Sequence, residues 1–340
     1  MKKVAIIILN WNGKKLLQEF IPSVIQYTDK AVADVIVADN NSDDDSVSFL
    51  KTNYPDVSII QLTENFGYAE GYNQALKKIT YEYYILLNSD VEVTEGWLTP
   101  LIEYLDNHLE VAALQPKILS QRDKQYFEYA GASGGFIDKY GYPFCRGRIF
   151  DSVEKDVHQY DTPIEIFWAS GACMAIRAED FHDCGGFDST FFAHMEEIDL
   201  CWRLNARGRK LMCIPQSTVY HVGGATLDEE SPRKTFLNFR NNLLMLYKNL
   251  PEDRLKHVMR TRTILDRIAA LQMYLKGKKE NAKAIIDAIK EFNQIKRQYT
   301  ATRKDNLNRT TAPIIHSIYP QSILWSYFIK KRKHFGQLKF

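Results

Sequence analysis

The segment VAIIILNWNG, residues 4–13, decides the fold. Residues 4–9 are apolar without interruption, which suits a strand covered on both faces and not one with a wet side. The run stops at Asn10, Trp11, Asn12 and Gly13. The preceding Lys2 and Lys3 imitate the start of a signal peptide, but the apolar run is too short and no small-residue cleavage site follows, so a buried first strand is expected. The same pattern, an apolar run ending in polar residues, returns at 35–38, 57–62, 83–87 and 111–114. Helical spacing fills the intervals 14–27, 44–53, 69–79 and 97–107. Such alternation predicts an α/β fold with a parallel, doubly wound sheet.

Composition agrees with a folded chain. Of 340 residues, 45% are hydrophobic and 25% charged, which excludes disorder, collagen and a small disulfide scaffold. The net charge of +2 conceals two opposite parts: residues 1–230 carry 20 Lys+Arg against 35 Asp+Glu, and residues 231–340 carry 24 against 7. An acidic body invites metal ions or carboxylate chemistry, and a basic tail invites phosphates, nucleic acid or an anionic membrane. Cys145, Cys173, Cys184, Cys201 and Cys213 form no CxxC pair and leave one over, so a reducing cytosol is the simplest setting. No stretch has the roughly 18 to 20 apolar residues of a membrane span.

Residues 120–165 turn Gly- and Tyr-rich and suit hairpins or irregular structure. An interrupted strand is expected at 166–176, a helix at 197–206, and brief extended pieces at 211–215 and 219–222. Past 231 the chain becomes helical, basic and poor in glycine. This divides it into 1–230 and a basic helical region, 231–340.

Ligands of open α/β sheets bind at the carboxyl ends of the strands. Three polar clusters fall there: NWNG (10–13), ADNNSDDD (38–45) and NSDVE (88–92). Asp43 and Asp44 suit capping, whereas Asp39 follows its apolar run directly and lies in the expected crevice. Asn88 and Asp90 alternate along a strand and project to one side, an arrangement suited to a hard divalent cation holding a diphosphate. Neither GxGxxG nor GxxxxGK[ST] occurs. Glu196, Glu197 and Asp199 crowd the start of a helix, where the dipole favours anions. Three carboxylates so close also repel one another, so one of them is expected to have another task. His221, at a strand end before a Gly pair, suits a metal or phosphate contact.

AIIILNWNG, VIVADNNSDD, ENFGYAEGYNQAL, YILLNSDVEV, SGACMAIRAEDF, GGFD, MEEIDLCWRLNARG and VYHVGG, in that order, resemble the inverting family 2 glycosyltransferases. The similarity covers residues 1–245 and is greatest to rhamnosyltransferase-like enzymes of bacterial surface-polysaccharide assembly. It implies a GT-A, Rossmann-like, mostly parallel sheet flanked by helices, and transfer of a sugar from a nucleotide-sugar donor to a glycan or lipid-linked acceptor. Asp39 would contact the nucleoside, with Asn10 and Asn12 in the same pocket and Asn65, Gly67 and Asn73 shaping the adjoining loop. Asp90 would hold Mg²⁺ or Mn²⁺ on the donor diphosphate; the family often has Asp-x-Asp where this chain has Asn88-Ser89-Asp90, and Ser89 belongs to the donor site. His221 matches a further metal or diphosphate contact. The family's Glu-Asp pair aligns with Glu196 and Glu197, and the second position, Glu197, would be the base. Trp168 to Gly171 would line the floor. Asp199 and Arg203 would pair along their helix, or Arg203 would reach the diphosphate.

Two other classes fit parts of the pattern: a sugar-nucleotide-binding module without catalysis, for which Glu197 and Asn88 are the relevant departures, and a sugar nucleotidyltransferase, which NWNGKK with its single glycine disfavours. The tail's charge also fits solvated or oligomer-forming helices, and nucleic acid. KKRKH at 330–334 beside IIHSIYPQSILWSYFI at 314–329 favours an interfacial segment on the inner face of the cell membrane over nucleic acid, although Pro320 interrupts any continuous helix.

Overall fold

The computed structural model describes residues 2–223 and 231–340. Gly224, the last residue of VYHVGG, and the boundary at 230 lie outside the described residues. The strands are β1 (Val4–Asn10), β2 (Ala33–Asp39), β3 (Ser58–Gln61), β4 (Tyr83–Asn88), β5 (Val91–Val93), β6 (Val111–Ser120), β7 (Gly135–Asp138), β8 (Pro143–Cys145), β9 (Arg148–Ile149), β10 (Ser152–Val153), β11 (Ile164–Glu165), β12 (Cys173–Arg177), β13 (Lys210–His221) and β14 (Ile318–Tyr319). The α-helices are α1 (Lys14–Gln26), α2 (Ser46–Asn53), α3 (Gly67–Leu76), α4 (Thr99–Asn107), α5 (Ala178–Asp183), α6 (Glu196–Ala206), α7 (Pro232–Asn249), α8 (Glu252–Leu275), α9 (Lys279–Ile295) and α10 (Thr300–Asn308).

The main sheet runs β11-β13-β6-β12-β4-β1-β2-β3, with β5 added to β13. Strands β3, β2, β1 and β4 are parallel, as their continuous apolar character predicts. The sheet is mostly parallel, as expected, and mixed at β12, which lies antiparallel between β4 and β6. The chain leaves β6 for a smaller sheet, β10-β9-β8-β7-β14, and re-enters the main sheet at the end it left, which makes β12 run back against β6. The pieces expected at 211–215 and 219–222 are one strand, β13, whose register against β6 shifts between Ile214 and Thr218.

Alternate residues of a strand serve opposite layers. Val4, Ile6 and Ile8 pack with Leu17 and Ile21 of α1, Leu50 of α2 and Leu101 of α4. Ala5 and Ile7 belong to one continuous buried layer with Tyr72 of α3, Phe181 of α5, Leu200 of α6 and, from the basic region, Leu243 and Leu246 of α7. The two layers fix the strands, and the strands fix their ends: Asn10 is level with Asp39, Leu9 with Asn88, and His221 with Val91. All five cysteines are unpaired and buried. Burial pushes their thiols up, that of Cys145 to about 12.

Candidate active site

At the ends of β1 and β2, Asp39 is buried and its carboxylate accepts from the Asn10 amide at 3.0 Å, the Ser42 hydroxyl at 2.7 Å and the Ser42 N–H at 3.0 Å. The Asn10 Oδ1 is buried without a hydrogen-bond partner. A Cβ at Gly13 would stand 2.4 Å from that oxygen, so only glycine leaves it room. Asn12, at φ 50°, is exposed; its Oδ1 accepts from the N–H of Asp43 at 2.8 Å and of Asp44 at 3.3 Å, holding the next loop in place. Asp44 accepts from the N–H groups of Lys14 and Ser46, each at 3.0 Å, as a loop-capping residue does.

The loop that enters α3 hangs on Asn40, a residue the sequence reading passed over. Its amide donates to Asn65 Oδ1 at 3.0 Å and to the Gly67 carbonyl at 2.9 Å, and its Oδ1 accepts from Phe66 N–H at 3.0 Å. Gly67 has φ 74°, and a Cβ there would run into the Phe192 ring at 2.5 Å. Asn73 exchanges hydrogen bonds with the Phe187 backbone at 2.9 and 3.0 Å, pinning α3 to the GGFD turn.

Where β4 passes into β5, Asp90 Oδ1 lies 3.1 Å from His221 Nε2, and Glu128 Oε1 lies 3.5 Å from His221 Nδ1; all three residues are buried. Burial opposes a charge on His221, but the flanking Asp90 and Glu128 carboxylates outweigh it and raise the imidazole to about 10. Asn88 Nδ2 is 3.5 Å from the same Nε2. Ser89 follows directly, 3.9 Å from where a Gly13 Cβ would lie, so this cluster adjoins the Asn10 and Asp39 cluster.

Glu196 and Glu197 open α6. Each has one buried carboxyl oxygen with no hydrogen-bond partner. Burial pushes Glu197 up to about 7, and burial together with the neighbouring Glu197 raises Glu196 well above its ordinary value. Burial, and after it the charges of Tyr72, Glu196 and Glu197, raises the Tyr68 phenol well above its ordinary value, and its hydroxyl donates to the Gly171 carbonyl at 2.8 Å. A Cβ on Gly171 would fall 2.7 Å from that hydroxyl oxygen. Trp168 is buried, donates Nε1–H to the Phe136 carbonyl at 2.9 Å and lies flat on Gly135.

The approach to the glutamate pair is strained: Phe192, His194 and Met195 have φ of 62°, 70° and 72°. Such backbone persists only where its surroundings over-determine it. Here α7 does so, through Asn241, whose amide donates to the carbonyls of Phe191, Ala193 and His194, and Arg240, which donates to the Thr190 carbonyl at 2.7 Å. Deeper in the same junction, buried Asp199 accepts from Arg203 Nε at 3.0 Å, Lys248 Nζ at 2.9 Å and Asn249 Nδ2 at 2.8 Å. Arg203 is not brought to the strand ends. It sits two turns along α6 from Glu196, and its other nitrogens hold the carbonyls of Cys184 at 2.6 Å and Gly186 at 2.9 Å. Glu128, Asn40, Tyr68 and Asn241 were not singled out from the sequence. The buried Asn241-Asn242 pair inside an otherwise apolar helical stripe was the available signal for the clamp.

Comparison with known proteins adds to this geometry. The sequence family described as Glycosyl transferase family 2 matches residues 5–184. The chain is 26% identical over 223 residues to the N-acetylglucosaminyl-diphospho-decaprenol L-rhamnosyltransferase of Mycobacterium tuberculosis, covering 60% of this chain and 71% of that protein. Among solved structures, GalNAc-T7 with UDP, GalNAc and Mn²⁺ superposes with a TM-score of 0.55 at 17% identity, over 73% of this chain and 48% of that one. Staphylococcus aureus TarS 1–349 in complex with UDP gives 0.54 at 14% identity, over 90% and 88%. The likeness to both lies in the fold, a mixed sheet with helices on either face.

Proposed function

Because the chain belongs to glycosyl transferase family 2 and is a glycosyltransferase, we propose that it transfers rhamnose, with inversion, from dTDP-rhamnose to a hydroxyl of a lipid-linked glycan in surface-polysaccharide synthesis. The observation that carries the reading is the pair of buried, unpartnered carboxyl oxygens at Glu196 and Glu197. An unpaired buried carboxylate is costly to maintain, and a proton-accepting task accounts for its presence. Glu197 takes the proton of the acceptor hydroxyl as the new bond to the anomeric carbon forms. The bond to the diphosphate breaks in the same step and its electron pair leaves with the phosphate oxygen.

Asp39 and Asn10 receive the nucleoside, and the loop between β3 and α3, held by Asn40, encloses it. The donor set at the end of β4 fits a divalent cation. Asp90 Oδ1 and His221 Nε2 stand 3.1 Å apart as an ion pair; a cation bound there would be held by both residues and would displace the proton they share. Among the described residues no group of three or more His, Cys, Asp or Glu is arranged to hold a metal ion, so the protein offers two ligands and the diphosphate is left to supply others. Glu128 lies 3.5 Å from His221 Nδ1, an ion-pair contact without a formed hydrogen bond; a carboxylate in that place would orient a ligating histidine. When bound, the cation neutralises charge on the departing diphosphate. Residues 231–340 bring the enzyme to the anionic membrane surface that carries its acceptor.

The test is a turnover screen of nucleotide sugars with Mg²⁺ or Mn²⁺. Consumption of dTDP-rhamnose ahead of UDP-hexoses and UDP-N-acetylhexosamines is expected. Turnover of a UDP-sugar alone would move the donor assignment, and binding of every donor without turnover would remove the catalytic one.

A further inference from the structure

Helix α8 is two-faced in an unusual sense. Its inner face, Val258, Arg262, Asp266 and Ala270, is buried. There Asp266 accepts from Arg262 and from the Tyr142 hydroxyl, fastening the helix to the small sheet. On the opposite side, Ile264, Ile268, Leu271 and Leu275 are 56–75% exposed. At about 100° per residue these four fall within an arc of about 60°, forming one stripe along the helix axis. No element of the described residues covers them. Lone exposed apolar residues need no explanation, but an aligned row on one helix face does.

The charges beside the stripe identify its occupant. Arg260 and Arg267 flank it, and Lys276 and Lys279 follow its end; all four are exposed. Asp266 is the single acidic residue between 254 and 275, and it is buried. A second copy of α8 would bring the same cations against these, whereas a bilayer bearing anionic headgroups accepts the apolar side chains and neutralises the flanking charge together. We infer that the outer face of α8 is a membrane-docking surface, with Ile264, Ile268, Leu271 and Leu275 entering the interface of an anionic bilayer. The inference rests on the membrane part of the reading above and is independent of the donor and of catalysis. It assigns docking to α8 and not to the second exposed apolar and basic cluster, Trp325, Phe328 and Ile329 ahead of Lys330 and Lys331.

Co-sedimentation of the full chain with phosphatidylcholine vesicles, with and without phosphatidylglycerol, tests it. Pelleting with the anionic vesicles only, weakened by salt, is expected, with affinity falling about fivefold for each of Arg260→Gln and Arg267→Gln. Ile268→Glu/Leu271→Glu should abolish pelleting while leaving the melting temperature and transfer to a soluble acceptor analogue intact. Binding lost instead in Trp325→Glu/Phe328→Glu, and retained in the α8 variant, would overturn the α8 assignment and spare the membrane reading. No pelleting at all overturns both. A dimer in sedimentation equilibrium that the α8 variant dissociates, without vesicle binding, gives the stripe to a second copy and overturns the inference.

Discussion

The side-chain amide of Asn241 stands 2.8 Å from the carbonyl oxygen of His194, and the same nitrogen reaches the carbonyls of Phe191 at 2.9 Å and Ala193 at 3.0 Å. One residue of α7 therefore fixes three peptide units of the loop that delivers Glu196 and Glu197. Asn241→Ala should cost about 2–3 kcal/mol of stability, from three lost hydrogen bonds. A displacement of the base by an ångström should lower kcat on the order of 100-fold. Steady-state kinetics should show kcat falling with the donor KM nearly unchanged, since the donor contacts lie on other loops.

Glu197→Gln should lower kcat by about 10²- to 10⁴-fold, the range for a lost general base, while calorimetric donor binding survives. Glu196→Gln should cost less. If instead Glu196→Gln is the dead variant, the two roles exchange.

Glu197 also predicts opposite pH slopes for rate and stability. An unfolded glutamate titrates near 4.3, and in the fold burial raises Glu197 to about 7. Between these values the folded chain holds a proton the unfolded chain has released, so stability falls as pH rises across that window and levels off above it. The base is ionised over the same window, so kcat/KM climbs toward pH 7. Glu196 and Glu197 titrate as a pair, and the observed midpoint belongs to both. Glu197→Gln should remove much of the fall in melting temperature and gain about 1–3 kcal/mol at neutral pH.

Glu128→Gln should weaken Mn²⁺ affinity about 10- to 100-fold by releasing His221 from its partner. Asp90→Ala should weaken it further by removing a ligand. Mn²⁺ paramagnetic resonance in the presence of nucleoside diphosphate reads both without turnover.

Lys248→Met removes the cation that lies 2.6 Å from Asp188 and 2.9 Å from Asp199. Asp199 keeps Arg203 and Asn249, so the loss should fall below the roughly 3–5 kcal/mol of a fully orphaned buried charge. Thermal melting should show it, and the loss should persist at high salt because the site is closed to solvent.

The strands that carry Asn10, Asp39 and Asn88 were legible because burial on both faces leaves an unbroken apolar run in the sequence. The glutamate pair was legible as a crowd of like charges at a helix start. The antiparallel β12 was not, since its residues are as apolar as those of its parallel neighbours and direction leaves no trace in composition. Asn241 and Lys248 escaped for a related reason. They lie in a region whose net charge speaks of a solvated or membrane-bound surface, yet α7 turns these polar side chains inward, and only the packing of α7 on α6 shows it. Glu128 stood in a loop with no periodicity to mark it.

The unpaired thiols, sequestered and held in their protonated form, make the chain chemically silent toward maleimides. A cysteine installed at Leu271 would be the first accessible one, and a nitroxide or environment-sensitive fluorophore attached there would report the depth and the timing of contact between α8 and lipid, with no native residue removed beforehand.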